Sequence, residues 1–247
     1  RARQETRAPA AQYGGTATAL LAFALATHLA EGVVAVEATA DGGARPVLVR
    51  EPEAMKRCAG SRYVAVPSLV GLAEARRHAL TRVALVGRPC QVEAVRRWQM
   101  AAGQNGAGGW IAAATLTVGL FCFWALGTAF MDYLWQRVGR EIRRIDVPPA
   151  GLVVESPAGQ TLIPLEEVRP YIKPGCQVCF DPTAEWADLA VGSTEAETEW
   201  NTLIVRTVTG EELVAQAERR GVLELRPYPP ERLPLLRQAA RQKKQRV

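Results

Sequence analysis

The sequence predicts an α/β fold: a mainly parallel sheet in a larger domain, with a smaller α/β lobe carrying a Cys-x-x-Cys loop. Three observations predict it. Short runs rich in Val, Ala and Leu recur at 32–36, 82–86 and 113–121, with helix-forming segments between them, which is the βαβ rhythm of a parallel sheet. Beyond residue 141 the texture changes, and Pro148, Pro149, Gly151, Pro157, Gly159 and Pro164 punctuate short β-like runs. Finally, 247 residues with 48% apolar and 22% charged side chains are enough to bury a real core.

In chain order, residues 1–12 are polar and read as a basic arm. Gly14-Gly15-Thr16-Ala17-Thr18 opens an Ala/Leu-rich helix that runs to about residue 30. Free N–H groups beside small residues and hydroxyls at a helix start suit an anion, and they equally suit plain capping in a tight turn. Strands are expected at 32–36 and 45–50, with the turn Asp41-Gly42-Gly43 between them. Pro52 starts a short helix, and the loop Cys58-Ala59-Gly60-Ser61-Arg62-Tyr63 puts a guanidinium and a phenol within reach of a nucleotide. An amphipathic helix follows at 69–80, then a strand at 82–86, a helix at 91–100 and a Gly/Ala-rich loop at 101–109.

The run 110–130 holds no charge and about twenty residues, so hydropathy alone would make it a membrane span. Gly119, Gly127 and Cys122 instead favour a buried parallel strand, with a helix starting after the cysteine and reaching about residue 138. A small sheet is expected from 142–147, 152–155 and 161–164, then strands at 187–192 and 200–207 and a helix at 211–220. The alternation places 87–90 and 119–122 at the carboxyl ends of strands, where open parallel sheets bind ligands.

The net charge is +5, and the excess sits at the two ends: Arg1, Arg3 and Arg7, and Arg237, Arg241, Lys243, Lys244 and Arg246. These read as solvated ends or partner-gripping arms, and the middle of the chain lacks the interleaving of aromatic and basic residues that a nucleic-acid surface needs. Five cysteines in a chain of this length do not make a disulfide framework. Thiols held for metal or redox chemistry, in a reducing and cytoplasmic setting, are expected instead. The lone His28 and His78 have no evident partner.

Four thiols stand beside Gly or Pro: Cys90, Cys122, and the pair Cys176 and Cys179 in Pro174-Gly175-Cys176-Gln177-Val178-Cys179. Thiolate ligands need such turns to aim several sulfurs at one point. Spacing leaves three readings open: an iron–sulfur cluster, a tetrahedral zinc site, or two core thiols with a lone redox pair.

Five stretches taken together resemble the coenzyme F420 hydrogenase/dehydrogenase beta subunit family. They are Gly14-Gly15-Thr16-Ala17-Thr18-Ala19-Leu20-Leu21, Ala59-Gly60-Ser61-Arg62-Tyr63, Val86-Gly87-Arg88-Pro89-Cys90-Gln91, Gly119-Leu120-Phe121-Cys122, and Gly175-Cys176-Gln177-Val178-Cys179 with Ala187-Asp188-Leu189-Ala190-Val191-Gly192. The segment from Trp200 to Thr207 matches in kind, so the resemblance spans about 12–225 in order. Arg88 departs from it, standing where a small residue is expected.

The resemblance implies an oxidoreductase subunit that carries FAD and a [4Fe–4S] cluster. Such a subunit exchanges a hydride with coenzyme F420 and passes electrons through the cluster to a partner. Carried over by position, Cys90, Cys122, Cys176 and Cys179 would hold the cluster, and Gly14, Gly15, Thr16, Thr18, Ser61, Arg62 and Tyr63 would hold the flavin. The implied domains are an arm (1–12), an FAD-binding α/β domain (13–140), a smaller lobe with the cluster loop (141–228) and a basic tail (229–247). Implied partners are a hydrogenase, formate dehydrogenase, heterodisulfide-reductase-like or ferredoxin-like iron–sulfur subunit, with no nucleic acid and no membrane span. Two further readings are a ferredoxin-linked flavin reductase of an organic substrate and a zinc-stabilised, non-redox assembly subunit. Lys173 and Arg206 are simpler as surface charges, and Asp181 and Glu185 as loop-shaping or partner-facing groups than as proton carriers.

Overall fold

The computed structural model describes residues 1–104, 109–193 and 197–245. Arg246 and part of the Gly/Ala-rich loop lie outside them, while the helix before that loop continues to Gln104. The large sheet has six strands: β1 (Gly32–Ala38), β2 (Ala44–Val49), β3 (Val83–Gly87), β4 (Ala114–Leu120), and then β8 (Leu189–Ser193) and β9 (Asn201–Val205) from late in the chain. Their spatial order is β2-β1-β3-β4-β8-β9. The inner pairs β1–β3, β3–β4 and β4–β8 are parallel, and the edge strands β2 and β9 are antiparallel.

Both faces of the sheet are covered, which is why its inner strands read as unbroken apolar runs. On one face α1 (Thr16–Ala26) and α6 (Val208–Arg219) pack over Val33, Ala35, Ala84, Leu116, Val118 and Leu189. On the other, α2 (Val70–Arg77) and α3 (Pro89–Gln104) cover Val34, Val83, Leu85 and Ala114. Val33 and Val34 are both fully buried and point to opposite faces, so each contributes roughly 2 kcal/mol of apolar burial. α1 is apolar nearly all round because it is itself sandwiched, with Leu20, Leu21, Phe23, Ala24 and Leu25 buried.

The second sheet is an antiparallel meander, β5 (Arg144–Asp146), β6 (Leu152–Ser156) and β7 (Gly159–Ile163). It shares a core with α4 (Ala129–Val138) and the short α5 (Leu165–Val168), built on Phe130, Leu134, Leu152, Val154, Ile163 and Val168. α4 begins seven residues after Cys122, later than the sequence suggests. The intervening stretch is held extended by bridges from Leu126 to Val64 and to Ile172. Among the described residues no helix is long and apolar enough to cross a membrane.

One buried carboxylate ties the late strands to the early ones. Asp188 Oδ2 accepts from Thr117 N at 2.7 Å, Thr117 Oγ1 at 2.9 Å and Arg96 Nη2 at 2.7 Å. Asp188 Oδ1 accepts from Thr207 Oγ1 at 2.8 Å, and Thr207 in turn caps α6. A carboxylate this deep is tolerated because both of its oxygens accept hydrogen bonds and a cation faces it.

Candidate functional site

A cavity of about 890 Å³ opens at the carboxyl ends of the parallel strands, the ligand position of open α/β sheets. Ala35 and Val36 of β1, Val86 and Gly87 of β3, Leu120 of β4 and Val191, Gly192 and Ser193 of β8 form its floor. The first turn of α1 faces it with Thr16, Ala17 and Thr18. That turn starts from Gly15 at φ +69°, a left-handed conformation glycine adopts without strain. Its first N–H, on Thr16, donates to Asn201 Oδ1 at 3.2 Å. Thr16, a lining residue, has a buried Oγ1 with no partner among the described residues.

The loop after Cys58 supplies a second wall. Ser61, Arg62 and Tyr63 line the cavity. The Arg62 guanidinium donates to the carbonyls of Ser61 (2.9 Å) and Ala59 (3.0 Å), while its buried Nε lacks a partner among the described residues. Burial lowers the Arg62 pKa from its ordinary value. Tyr63 donates to Asp146 Oδ1 at 3.2 Å, and Tyr13 donates to the same carboxylate at 2.9 Å. Burial, then the Asp146 hydrogen bond, push the Tyr13 phenol up to about 12. Burial and the Asp146 charge raise Tyr63 as well. Of the seven residues expected at the flavin, six line this cavity; Gly14 stands behind it, packed against Asn201 and Glu199.

The four expected thiols come from three segments of the chain. Cys90 lies in the first turn of α3, Cys122 just beyond β4, and Cys176 and Cys179 in the loop before β8. Cys122 lines the cavity itself. Burial is the main effect raising the Cys90 thiol; Arg88 opposes it, and Cys179 and Cys176 add to it. Burial likewise pushes Cys122 up to about 11, against Lys243 and Arg88, with Cys176 and Cys90 adding to the rise. The thiols are thus within electrostatic reach of one another. The Ala125 N–H donates to Cys176 Sγ at 3.3 Å, the kind of contact that steadies a thiolate. As the side chains stand, no group of three or more His, Cys, Asp or Glu among the described residues is arranged to hold a metal ion. Cys58, the fifth thiol, also lines the cavity and packs against the core under α1.

The remaining candidates sort by what they touch. Arg206 donates to Thr183 O and Oγ1, both at 3.0 Å, and to Ala184 O, so it braces a loop. Lys173 is exposed. Asp181 is buried and accepts from Thr183 N at 2.9 Å and Glu185 N at 2.7 Å, which shapes the turn after Cys179. Glu185 pairs with Lys244 at 2.6 Å. Arg88 turns its guanidinium to Val66 O at 3.2 Å and lines the cavity.

Sequence reasoning missed Tyr13, Asp146, Asn201 and the C-terminal helix α7 (Leu233–Lys244). Residues 229–247 read as a basic tail, yet Leu236, Ala239, Ala240 and Lys243 fall at helical spacing. The first three line the cavity and Lys243 is buried. That spacing was the available signal.

Fold and site together define an α/β protein with a large cavity at its strand ends and a thiol, Cys122, in the cavity wall. Family models described as the N-terminal and C-terminal parts of the coenzyme F420 hydrogenase/dehydrogenase beta subunit match residues 1–73 and 80–231. The chain belongs to that family. It is 31% identical over 244 residues to the coenzyme F420 hydrogenase subunit beta of Methanosarcina barkeri, covering 94% of this chain and 82% of that protein. It is 29% identical to the Methanothermobacter thermautotrophicus protein of the same name, covering 96% and 86%. Among solved structures, a chain of the xenon-derivatised F420-reducing [NiFe] hydrogenase complex from Methanosarcina barkeri superposes with a TM-score of 0.90 at 27% identity, over 100% of this chain and 87% of that one.

Proposed function

We propose that this chain is the flavin- and [4Fe–4S]-bearing subunit of a cytoplasmic oxidoreductase complex that uses coenzyme F420. The observation that carries this reading is that one cavity joins the α1 turn and the 61–63 loop to Cys122, so a flavin there and a cluster at the thiols would share a wall. Relatives named for F420 hydrogenase and for an F420-dependent sulfite reductase support the F420 assignment, and the beta-subunit family supports a multi-subunit complex.

The residues present fit both groups. A cavity of about 890 Å³ lined by Thr16 and Arg62, whose buried Oγ1 and Nε have no partner among the described residues, suits a ligand that brings phosphate oxygens. Four thiols, from the first turn of α3, the segment after β4 and the loop before β8, are the donor chemistry of a cluster. When bound, a flavin exchanges two electrons as a hydride or one at a time, and a [4Fe–4S] cluster carries single electrons.

The protein's own part is placement and electrostatics. The α1 first turn, Thr16 and Thr18 would hold phosphate at the positive end of the helix. Arg62 adds a partly desolvated cation on the second wall. Tyr63 is held by Asp146 and presents its ring to the cavity, while Phe121 and Trp124 exclude water from its apolar side. Cys90, Cys122, Cys176 and Cys179 would hold the cluster, with the Ala125 N–H on Cys176.

Anaerobic purification tests the reading. The expected protein is brown, with flavin and iron in fixed ratio to the chain, and reduced F420 bleaches its flavin on mixing. Cys179→Ser loses the iron. Stoichiometric zinc without iron would favour the zinc-stabilised alternative, and flavin that is reduced by ferredoxin but not by F420 would favour the flavin-reductase one.

A further inference from the structure

The helix α7 brings one residue into the interior, and that residue is charged. Lys243 is 1% exposed, the single buried side chain of a helix whose neighbours face solvent or the cavity mouth. Its Nζ donates to Cys122 O at 2.5 Å and to Asp181 O at 3.0 Å. Neither partner is an anion, and no carboxylate pairs with Lys243 among the described residues. A buried ammonium met only by neutral carbonyls is expensive, because carbonyl dipoles offset a full charge incompletely. Such a group persists where an anion completes it.

The two carbonyls show where that anion would be. Cys122 is one of the four thiols. Asp181 O also receives the Cys179 thiol at 3.7 Å, so Lys243 and Cys179 converge on one oxygen. The ammonium therefore sits on the backbone of one thiol residue and on a carbonyl that a second thiol also meets. The adjoining loops are already joined by Cys122 N to Pro182 O at 2.9 Å, so the backbone there is tied without the lysine. The other cations nearby are placed differently: Arg88 is turned to Val66 O, and Lys244 pairs with Glu185 at the surface.

We propose that Lys243 is the built-in counter-charge of the thiol site: it offsets the negative charge of a thiolate-ligated cluster and favours its one-electron-reduced state. The proposal rests on the cluster reading above. Four thiolates around an iron–sulfur core leave a net negative charge, and adding one electron raises it by one. A fixed positive charge nearby lowers the energy of the more negative state, so it raises the reduction potential. Lys243 is thus a positioning residue for charge, acting on the cluster through space, and α7 delivers that charge as it folds over the cavity.

The test compares Lys243→Gln, which still donates to carbonyls but is neutral, with Lys243→Arg, which keeps the charge. Lys244→Met controls for loss of a surface charge on the same helix. The full chain is purified anaerobically, iron per chain is measured, and the midpoint potential is read by EPR-monitored titration. Lys243→Gln is expected to lower the midpoint by about 59 mV, tenfold in a one-electron equilibrium. Lys243→Arg and Lys244→Met are expected to stay near the wild type. A Lys243→Gln protein that keeps its iron and its midpoint overturns the proposal. So does a shift of equal size in Lys244→Met, or loss of iron from both Lys243 variants, which makes the lysine a strap. Wild-type protein without iron would instead overturn the cluster reading itself, and the proposal with it.

Discussion

Asn201 Oδ1 accepts the Thr16 N–H at 3.2 Å across 185 residues of chain, fastening the start of α1 to β9. The same oxygen lies 2.7 Å from where a Cβ on Gly14 would stand, with Glu199 O at 3.0 Å. Gly14→Ala therefore pushes against a fixed backbone carbonyl and the helix anchor together. It is expected to cost about 1–3 kcal/mol in a denaturant titration and to release flavin on gel filtration. Asn201→Ala, which frees the anchor without a clash, is expected to weaken flavin retention with a smaller loss of stability. Full flavin content in Gly14→Ala would detach this turn from the cofactor.

Arg62 shapes its own loop through two carbonyls and lines the cavity, with its buried Nε unpartnered among the described residues. Arg62→Ala is expected to weaken flavin binding by about 1.5–3 kcal/mol, roughly ten- to a hundredfold in Kd. Arg62→Lys does not restore it, because a point ammonium cannot span both carbonyls and still offer a donor inward. Fluorescence titration of the apoprotein with FAD measures both.

The Phe121 ring occupies the space that any side chain at Gly192 would need: a Cβ there would be 2.0 Å from its Cδ2. Gly192→Ala must move the ring out of the cavity wall and is expected to destabilise by several kcal/mol. In a Phe121→Ala background the same change should cost under about 1 kcal/mol, since the obstacle is gone. Additive costs in that cycle would show the clash is relieved elsewhere.

Cys58, the fifth thiol, packs against the core under α1. Burial, with the Glu37 charge adding to it, pushes its thiol up to about 11 from an ordinary 9.0. A group whose folded pKa is raised stabilises the fold fully below its unfolded pKa. That contribution is lost as pH rises from about 9.0 through about 11. Cys58→Ser should flatten this part of the alkaline decline in thermal melts while keeping the wild-type iron content. Iron loss from Cys58→Ser would mean that the fifth thiol belongs to the metal site.

Much of the fold was legible because burial on both faces of a parallel sheet leaves a signature: unbroken Val, Ala and Leu runs with helices between them. β1, β3 and β4 and the helices α2 and α3 follow that pattern closely. The glycine pair, the 61–63 loop and the thiols were legible as motifs, because a turn that exposes backbone N–H groups or aims sulfurs needs Gly or Pro nearby. The delayed start of α4 was not, since Leu126 is held by bridges to Val64 and Ile172, partners 62 and 46 residues away.

By itself the sequence determined the α/β alternation, the strand-end placement of Cys90 and Cys122, and the family. Local propensity and short motifs suffice for those. Only the tertiary structure decided that β8 and β9 rejoin the large sheet beyond β4, that Tyr13 and Tyr63 share Asp146, and that Cys122 borders the same cavity as Thr16 and Arg62. It also turned a basic C-terminal stretch into a cavity-covering helix with Lys243 buried beside Cys122. Each of these depends on contacts between residues far apart in the chain, and a charge reads as solvated until the fold shows what surrounds it.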